Sequence, residues 1–108
     1  MAMLWKLPII YLLENNNYAM GTSQKRHTSY KDYYNHYGMV PGVKVNGYNV
    51  FHMLEIAKWA KKHALKNGPI FIEATTYRYH GHSMSDPGLS YRPRKEIAKV
   101  RRSLDCIV

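Results

Sequence analysis

Leu7-Pro8-Ile9-Ile10-Tyr11-Leu12-Leu13 is a continuous apolar run rich in strand formers, with no alternation of polar and apolar residues. A strand with one face in water alternates; an unbroken run reads as a strand covered on both faces, as in a parallel sheet. A second segment that reads as a buried strand, Ile70-Phe71-Ile72-Glu73-Ala74, lies far downstream. Each leads into a polar segment. The first ends at Glu14-Asn15-Asn16-Asn17, and the second opens into a long loop from Thr76 to Tyr91.

The intervening chain supplies the elements that a parallel sheet needs. Met1 to Lys6 reads as the tail of a helix entering the first strand. Tyr30 to Tyr37 is expected as a short helix stopped by Gly38, before a turn around Pro41-Gly42. Val43-Lys44-Val45 alternates like a short strand and ends at the turn pair Asn46-Gly47. Asn49 can cap a helix whose expected apolar face is Val50, Met53, Leu54, Ala57, Ala60 and Ala64. Glu55, Lys58, Lys62 and Lys66 mostly take the other side, and Asn67-Gly68-Pro69 stops the helix. Pro93 sits where another helix begins, continuing from Arg94 to Ser103. This order predicts an α/β chain: a segment of an open, mostly parallel sheet with flanking helices. In such sheets ligands bind outside the carboxyl ends of the strands. Both polar loops fall there, which predicts a shared site.

Bulk properties narrow the function. The 108 residues make one domain or part of one, and 45% apolar content argues for a folded chain. Leu7 to Leu13 is too short to span a bilayer, and no signal-peptide pattern is visible. One cysteine, Cys106, allows no internal disulfide. The net charge of +9 concentrates in Lys58 to Lys66 and Arg92 to Arg102. These stretches read as solvated faces of two helices, with an acidic partner as the alternative. Ten tyrosines could stack on bases, but Tyr30, Tyr33, Tyr34 and Tyr37 fit a helix face as well. No helix-turn-helix, zinc-finger or RNA-binding aromatic pattern accompanies the charge, so neither a nucleic-acid module nor a membrane span is expected.

The two loops carry the chemistry. Asparagine offers a neutral carbonyl oxygen, a hard ligand suited to magnesium or calcium, although an Asn15-Asn16-Asn17 run also reads as an ordinary polar loop. The second loop, Tyr77-Arg78-Tyr79-His80-Gly81-His82-Ser83-Met84-Ser85-Asp86-Pro87-Gly88, packs two histidines, two serines, an arginine and an aspartate into one turn-rich segment. His80 and His82 lack further zinc ligands at useful spacing. A histidine here is better suited to donate to an anion or shuttle a proton. Arg78 and Arg92 are expected to pair with Asp86 and hold the loop. Ser83, Ser85 and Ser90 lie among arginines, where an added phosphate would reorganise the segment.

At these loops the sequence resembles the alpha subunits of thiamine-diphosphate-dependent pyruvate dehydrogenases, of the mitochondrial type. The resemblance rests on Leu4-Trp5-Lys6-Leu7-Pro8, Glu14-Asn15-Asn16, Tyr18, Met20-Gly21-Thr22-Ser23, Pro41-Gly42, Gly68-Pro69-Ile70, Thr76 through Gly88, Ser90-Tyr91-Arg92, Glu96-Ile97 and Val100-Arg101. It implies a thiamin-diphosphate-binding fold. It also implies oxidative decarboxylation of pyruvate, with acetyl transfer to a lipoyl group, in the mitochondrial matrix. Asn16 and the Tyr18 backbone carbonyl would ligate the Mg2+ that carries the cofactor diphosphate. His82 would sit beside the cofactor and act catalytically. Ser83 would be the main regulatory phosphorylation site, with Ser90 and Ser23 secondary. Arg78, Asp86, Tyr91 and Arg92 would order the loop spanning 77–92. The implied partners are a beta subunit in a heterotetramer, a lipoyl-bearing acetyltransferase, and a regulatory kinase and phosphatase.

The chain departs from that pattern in one respect. The Mg2+ site of the family also uses an aspartate in a Gly-Asp-Gly turn before the paired asparagines. Only 15 residues precede Asn16 here and none is aspartate. The resemblance therefore implies that residues 1–108 form the middle part of a single cofactor-binding domain, truncated at both ends. Such a segment is expected not to hold the cofactor alone. Two alternatives stay open: a branched-chain 2-oxoacid dehydrogenase alpha subunit, and a non-catalytic shortened product that binds the beta subunit or the kinase.

Overall fold

The computed structural model of the chain describes residues 1–35 and 38–107. It opens with a single helical turn closed by a Schellman arrangement. The Leu7 N–H donates to the Ala2 carbonyl and the Lys6 N–H to the Met3 carbonyl, while Lys6 takes a positive φ of 50°. The expected helix tail is therefore present, ended by a left-handed residue that turns the chain into the sheet.

Three strands form a parallel sheet: β1 (Ile10–Asn15), β4 (Gly42–Asn46) and, between them, β5 (Ile70–Thr75). Ile10 pairs with Ile70 and Asn15 with Thr75 along one edge of β5, while Gly42 pairs with Phe71 and Asn46 with Thr75 along the other. The open parallel arrangement follows the sequence expectation. After β1 the chain makes a minimal antiparallel hairpin from β2 (Tyr18–Ala19) and β3 (Thr22–Ser23), then one turn of helix, α1 (Gln24–His27).

Helix α2 (Val50–Asn67) links β4 to β5. Its first two free amides, Phe51 and His52, donate to the Asn49 side chain at 3.0 and 3.1 Å, as the capping argument requires. At its other end Gly68 adopts a φ of 97°, and a Cβ there would stand 3.1 Å from Lys6 Cα. Glycine thus lets the helix end against the opening turn. The core is Ala60, Ala64, Ile70 and Ile72, flanked by Val43, Val45 and Ile56. The alternation within β5 sends Ile70, Ile72 and Ala74 toward α2, and Phe71, Glu73 and Thr75 to the opposite face.

Four details differ from the sequence expectation. The first strand begins at Ile10 rather than Leu7. It is not covered on both faces, since Ile10, Tyr11 and Leu12 are 41%, 41% and 52% exposed. The strand is an edge of the sheet, so an apolar run does not guarantee cover within this segment. On α2 the inward face is Met53, Ile56, Ala60 and Ala64, whereas Val50, Leu54 and Ala57 point outward. The actual face follows the 3.6 period one position to the side of the expected stripe. Finally, the expected helix over residues 30–37 is a single 3₁₀ turn, Tyr33–Asn35, with residues 36 and 37 outside the described region. There the Thr28 side chain engages the backbone of Tyr30 and draws it out of the helix. Helix α3 (Arg94–Leu104) begins directly after Pro93, as expected.

Candidate active site at the carboxyl ends of the parallel strands

The asparagine loop is a pair of interlocked turns. The Asn15 Oδ1 accepts from the Asn17 N–H, and the Asn16 Oδ1 accepts from the Tyr18 N–H, each at 3.0 Å. Such side-chain turns are a property of asparagine, which also tolerates the φ of 68° taken by Asn17. The Asn17 carbonyl then accepts from the Gln24 N–H at 2.8 Å and closes the hairpin. These residues line an open cleft of about 310 Å³, with Asn16, Tyr18, His27 and Tyr33 around it.

Asn15 is buried and its amide donates to Glu73 Oε1 at 2.8 Å. Glu73 is fully buried on β5. Its Oε2 accepts the Tyr34 N–H at 3.0 Å, and Lys44 Nζ lies 3.5 Å from Oε1. Lys44 also meets Asp32 at 3.2 Å. Desolvation alone would pull the Lys44 ammonium down, but Asp32 and Glu73 outweigh it and hold its pKa above the ordinary value. A lone carboxylate inside an apolar strand must be paired, so the glutamate within Ile-Phe-Ile-Glu-Ala is the sequence signal for this anchor, one that the reading of that run as a plain strand passes over.

The second loop is organised around Arg92, which is 3% exposed. Its guanidinium donates to the carbonyls of Gly88 (3.0 Å), His80 (3.0 Å) and Arg78. It also lies over the rings of Tyr77, Tyr18 and Tyr91, at 5.1, 5.2 and 5.5 Å from their centroids. Arg92 therefore does not pair with Asp86 as expected, and Arg78 makes no ion pair with it either, bonding instead to the Met20 carbonyl and the Tyr91 hydroxyl. Three converging backbone carbonyls and an aromatic enclosure satisfy the planar fork of Arg92 without a carboxylate.

Asp86 instead clamps the loop tip. Its carboxylate accepts the N–H groups of His82 (2.9 Å) and Gly88 (2.7 Å) and the Tyr91 hydroxyl (2.9 Å). The bonds from His82 and Gly88 come first in holding its pKa below the usual carboxylate range. Desolvation opposes them and comes next in size, and Tyr91 and the nearby Arg78 charge add smaller contributions in the same direction as the two amides. Arg78 reaches across to the Met20 carbonyl and to the Tyr91 hydroxyl at 3.2 Å. Gly81 is required at the clamp, because a Cβ there would fall 1.9 Å from the Asp86 carbonyl oxygen.

The two loops meet, as their positions predicted. Tyr18 packs against Tyr77 and Tyr91. The Tyr18 and Tyr77 hydroxyls both donate to Glu96 Oε1, at 2.9 and 2.7 Å. Burial first, and then the bond to Glu96, raise both phenols above their ordinary value, Tyr77 strongly, with Arg92 opposing. Glu96 and the tyrosine hydroxyls were not anticipated; nothing in the local pattern of α3 shows that it returns to the hairpin. Asn16 and Tyr18 line the same cleft, whereas His82 stands on the exposed part of the second loop and is not among the cleft-lining residues. Ser83 and Ser90 are exposed, with Ser83 Oγ 3.1 Å from Ser85 Oγ, and Ser23 is half-buried at the start of α1. Among the described residues no three His, Cys, Asp or Glu side chains cluster as a metal site.

A parallel sheet whose strand-end loops are joined in this way fits the dehydrogenase E1 component family. The chain belongs to that family, whose model matches residues 1–108. Among its relatives is the potato (Solanum tuberosum) protein named pyruvate dehydrogenase E1 component subunit alpha, mitochondrial. It is 53% identical over 105 residues, covering 97% of this chain and 27% of the relative. The Dictyostelium discoideum protein of the same name is 53% identical over 99% of this chain and 29% of its own length. The human testis-specific form is 50% identical over 100% of this chain and 28% of its own length. The chain thus spans between a quarter and a third of the length of these curated relatives.

Proposed function

We propose that this chain supplies one side of the active site of a thiamine-diphosphate-dependent pyruvate dehydrogenase alpha subunit working in the mitochondrial matrix. The observation that carries the reading is the junction of the two loops at the carboxyl ends of β1 and β5. About half-identity to the mitochondrial relatives extends across both of them. In this reading residues 1–108 are the middle part of one cofactor-binding domain, and residues 77–92 are its regulatory loop.

The donor chemistry fits Mg2+ in part. Asn16 Oδ1 accepts one N–H and keeps a second lone pair, and the Tyr18 carbonyl belongs to the same turn. Both are hard neutral oxygens suited to an ion that also binds diphosphate. Neither Asn16 nor Tyr18 supplies a charged ligand, and the carboxylate lining the same cleft is that of Glu14. When bound, thiamine diphosphate provides the carbanion chemistry that decarboxylates a 2-oxo acid. Asn16 and Tyr18 would hold the diphosphate end through the metal. His82 would donate to anionic groups of the cofactor or substrate, with its backbone held by Asp86. Arg78, Tyr91 and Arg92 would keep the loop ordered. A phosphate on exposed Ser83 or Ser90 would bring roughly two negative charges beside the Asp86 clamp and loosen it by repulsion; Ser23 is a further acceptor on the hairpin. The implied partners are the beta subunit, a lipoyl-bearing acetyltransferase, a kinase and a phosphatase.

The test is turnover by the subunit carrying this chain, assembled with its beta subunit. We expect carbon dioxide release from pyruvate that requires thiamine diphosphate and Mg2+. Preference for branched-chain 2-oxo acids, or release indifferent to the cofactor, would overturn the reading.

A further inference from the structure

We propose that buried Glu73 is the positioning residue of the metal-binding turn, acting through Asn15 on the carbonyl groups of Asn16 and Tyr18. The inference rests on the function proposed above and deepens it.

The geometry gives the route. A carboxylate can only accept, so Glu73 Oε1 fixes which end of the Asn15 amide faces it: the Nδ2 group, at 2.8 Å. The Asn15 Oδ1 must then face the other way, where it accepts the Asn17 N–H. That bond holds Asn17 at a φ of 68° and shapes the turn in which Asn16 Oδ1 accepts the Tyr18 N–H. The second oxygen of Glu73 is held by the Tyr34 N–H, and Lys44 balances its charge from β4. The carboxylate therefore stands on the central strand with no freedom to rotate. It transmits that rigidity to a loop otherwise built from short polar side chains. Groups that orient ligands in this way typically change metal affinity by about 10–100-fold when they are altered.

Glu73→Gln breaks this arrangement whichever way the new amide points. Its NH2 group meets either the Asn15 amide or the Tyr34 N–H, donor against donor. The double variant Asn15→Asp with Glu73→Gln reverses the polarity of one bond and keeps the net charge. In it the amide introduced on β5 donates to the carboxylate introduced on the loop, and its oxygen still accepts from Tyr34. The new carboxylate still accepts from the Asn17 N–H, so the turn keeps its shape.

The experiment uses the subunit carrying this chain, assembled with its beta subunit. Two quantities are measured: the affinity for Mn2+ in the presence of thiamine diphosphate, and the thermal midpoint without either. We expect Glu73→Gln and Asn15→Ala each to weaken Mn2+ binding at least about tenfold, and the double variant to return within about threefold of the original. Lys44→Met, which removes the ion pairs with Asp32 and Glu73 but leaves the bonds of Glu73 to Asn15 and Tyr34 in place, should lower the midpoint and leave affinity within about twofold. Asn15→Ala leaves Glu73 paired with Lys44 and Tyr34, so it keeps the question open to measurement if Glu73→Gln does not fold. Unchanged affinity in Asn15→Ala or Glu73→Gln overturns the inference. So does Lys44→Met weakening Mn2+ as much as they do, since Glu73 would then act only through stability. Failure of the unsubstituted enzyme to bind Mn2+ with thiamine diphosphate would instead overturn the function proposed above.

Discussion

Replacing Arg92 with methionine keeps much of the aliphatic volume and removes every donor of the guanidinium. Three carbonyls, those of Arg78, His80 and Gly88, lose their partner inside the loop. Hydrogen bonds from a charged group are each worth about 1.5–3 kcal/mol net. The three sum to an upper bound of about 4.5–9 kcal/mol, which the loop will not lose in full because freed carbonyls can rehydrate. A loss of about 3 kcal/mol is a cautious floor and multiplies the open fraction of the loop roughly a hundredfold. Overall stability should fall less, because the loop can open without unfolding the sheet. Hydrogen exchange of the subunit assembled with its partner reads this directly. The His82 and Gly88 amides, both bound by Asp86, should lose about two orders of magnitude of protection, while the β5 amides keep theirs. Arg92→Lys should fall between, since an ammonium cannot span three carbonyls in one plane. Unchanged exchange at His82 and Gly88 in Arg92→Met would refute the assignment of Arg92 as the organiser of this loop.

Asp86 gives the loop a pH dependence of defined sign. Its pKa is lower folded than unfolded, so its contribution is present above the ordinary carboxylate value near 3.8 and is lost as pH falls through the depressed folded value. Protection of the His82 amide should drop in that acid range, and Asp86→Asn should flatten the profile. Tyr18 and Tyr77, half-buried and bound to Glu96, give the opposite dependence at the alkaline end. Both are raised, so their contribution holds below the ordinary phenol range and fades as pH climbs through the folded values. Absorbance titration of tyrosinate should show the two phenols ionising earlier in Glu96→Gln; an unaltered curve would contradict the shared acceptor.

The sheet was legible because its signals are local. An unbroken apolar run leads into β1, a largely apolar one marks β5, Asn49 caps α2, and Gly68 stops it. What the sequence withheld depends on which distant groups come together. Nothing near Arg92 shows that its fork will find three carbonyls of its own loop before Asp86. The exposure of β1 likewise follows from its place at the edge of the sheet, not from the composition of the strand. Residues 14–23 and 76–92 were recognisable as a site because a parallel sheet exposes strand ends. Glu73 and Glu96, which fix those loops, sit in elements that read as ordinary strand and helix.

The function proposed above requires the turn at Asn16 and Tyr18 to hold the metal-bound end of thiamine diphosphate. The most direct measurement is the binding isotherm of thiamine diphosphate at saturating Mg2+, comparing the assembled enzyme with its Asn16→Ala form. Loss of a ligand should weaken binding by at least about tenfold. Equal affinity of the two forms would contradict the account.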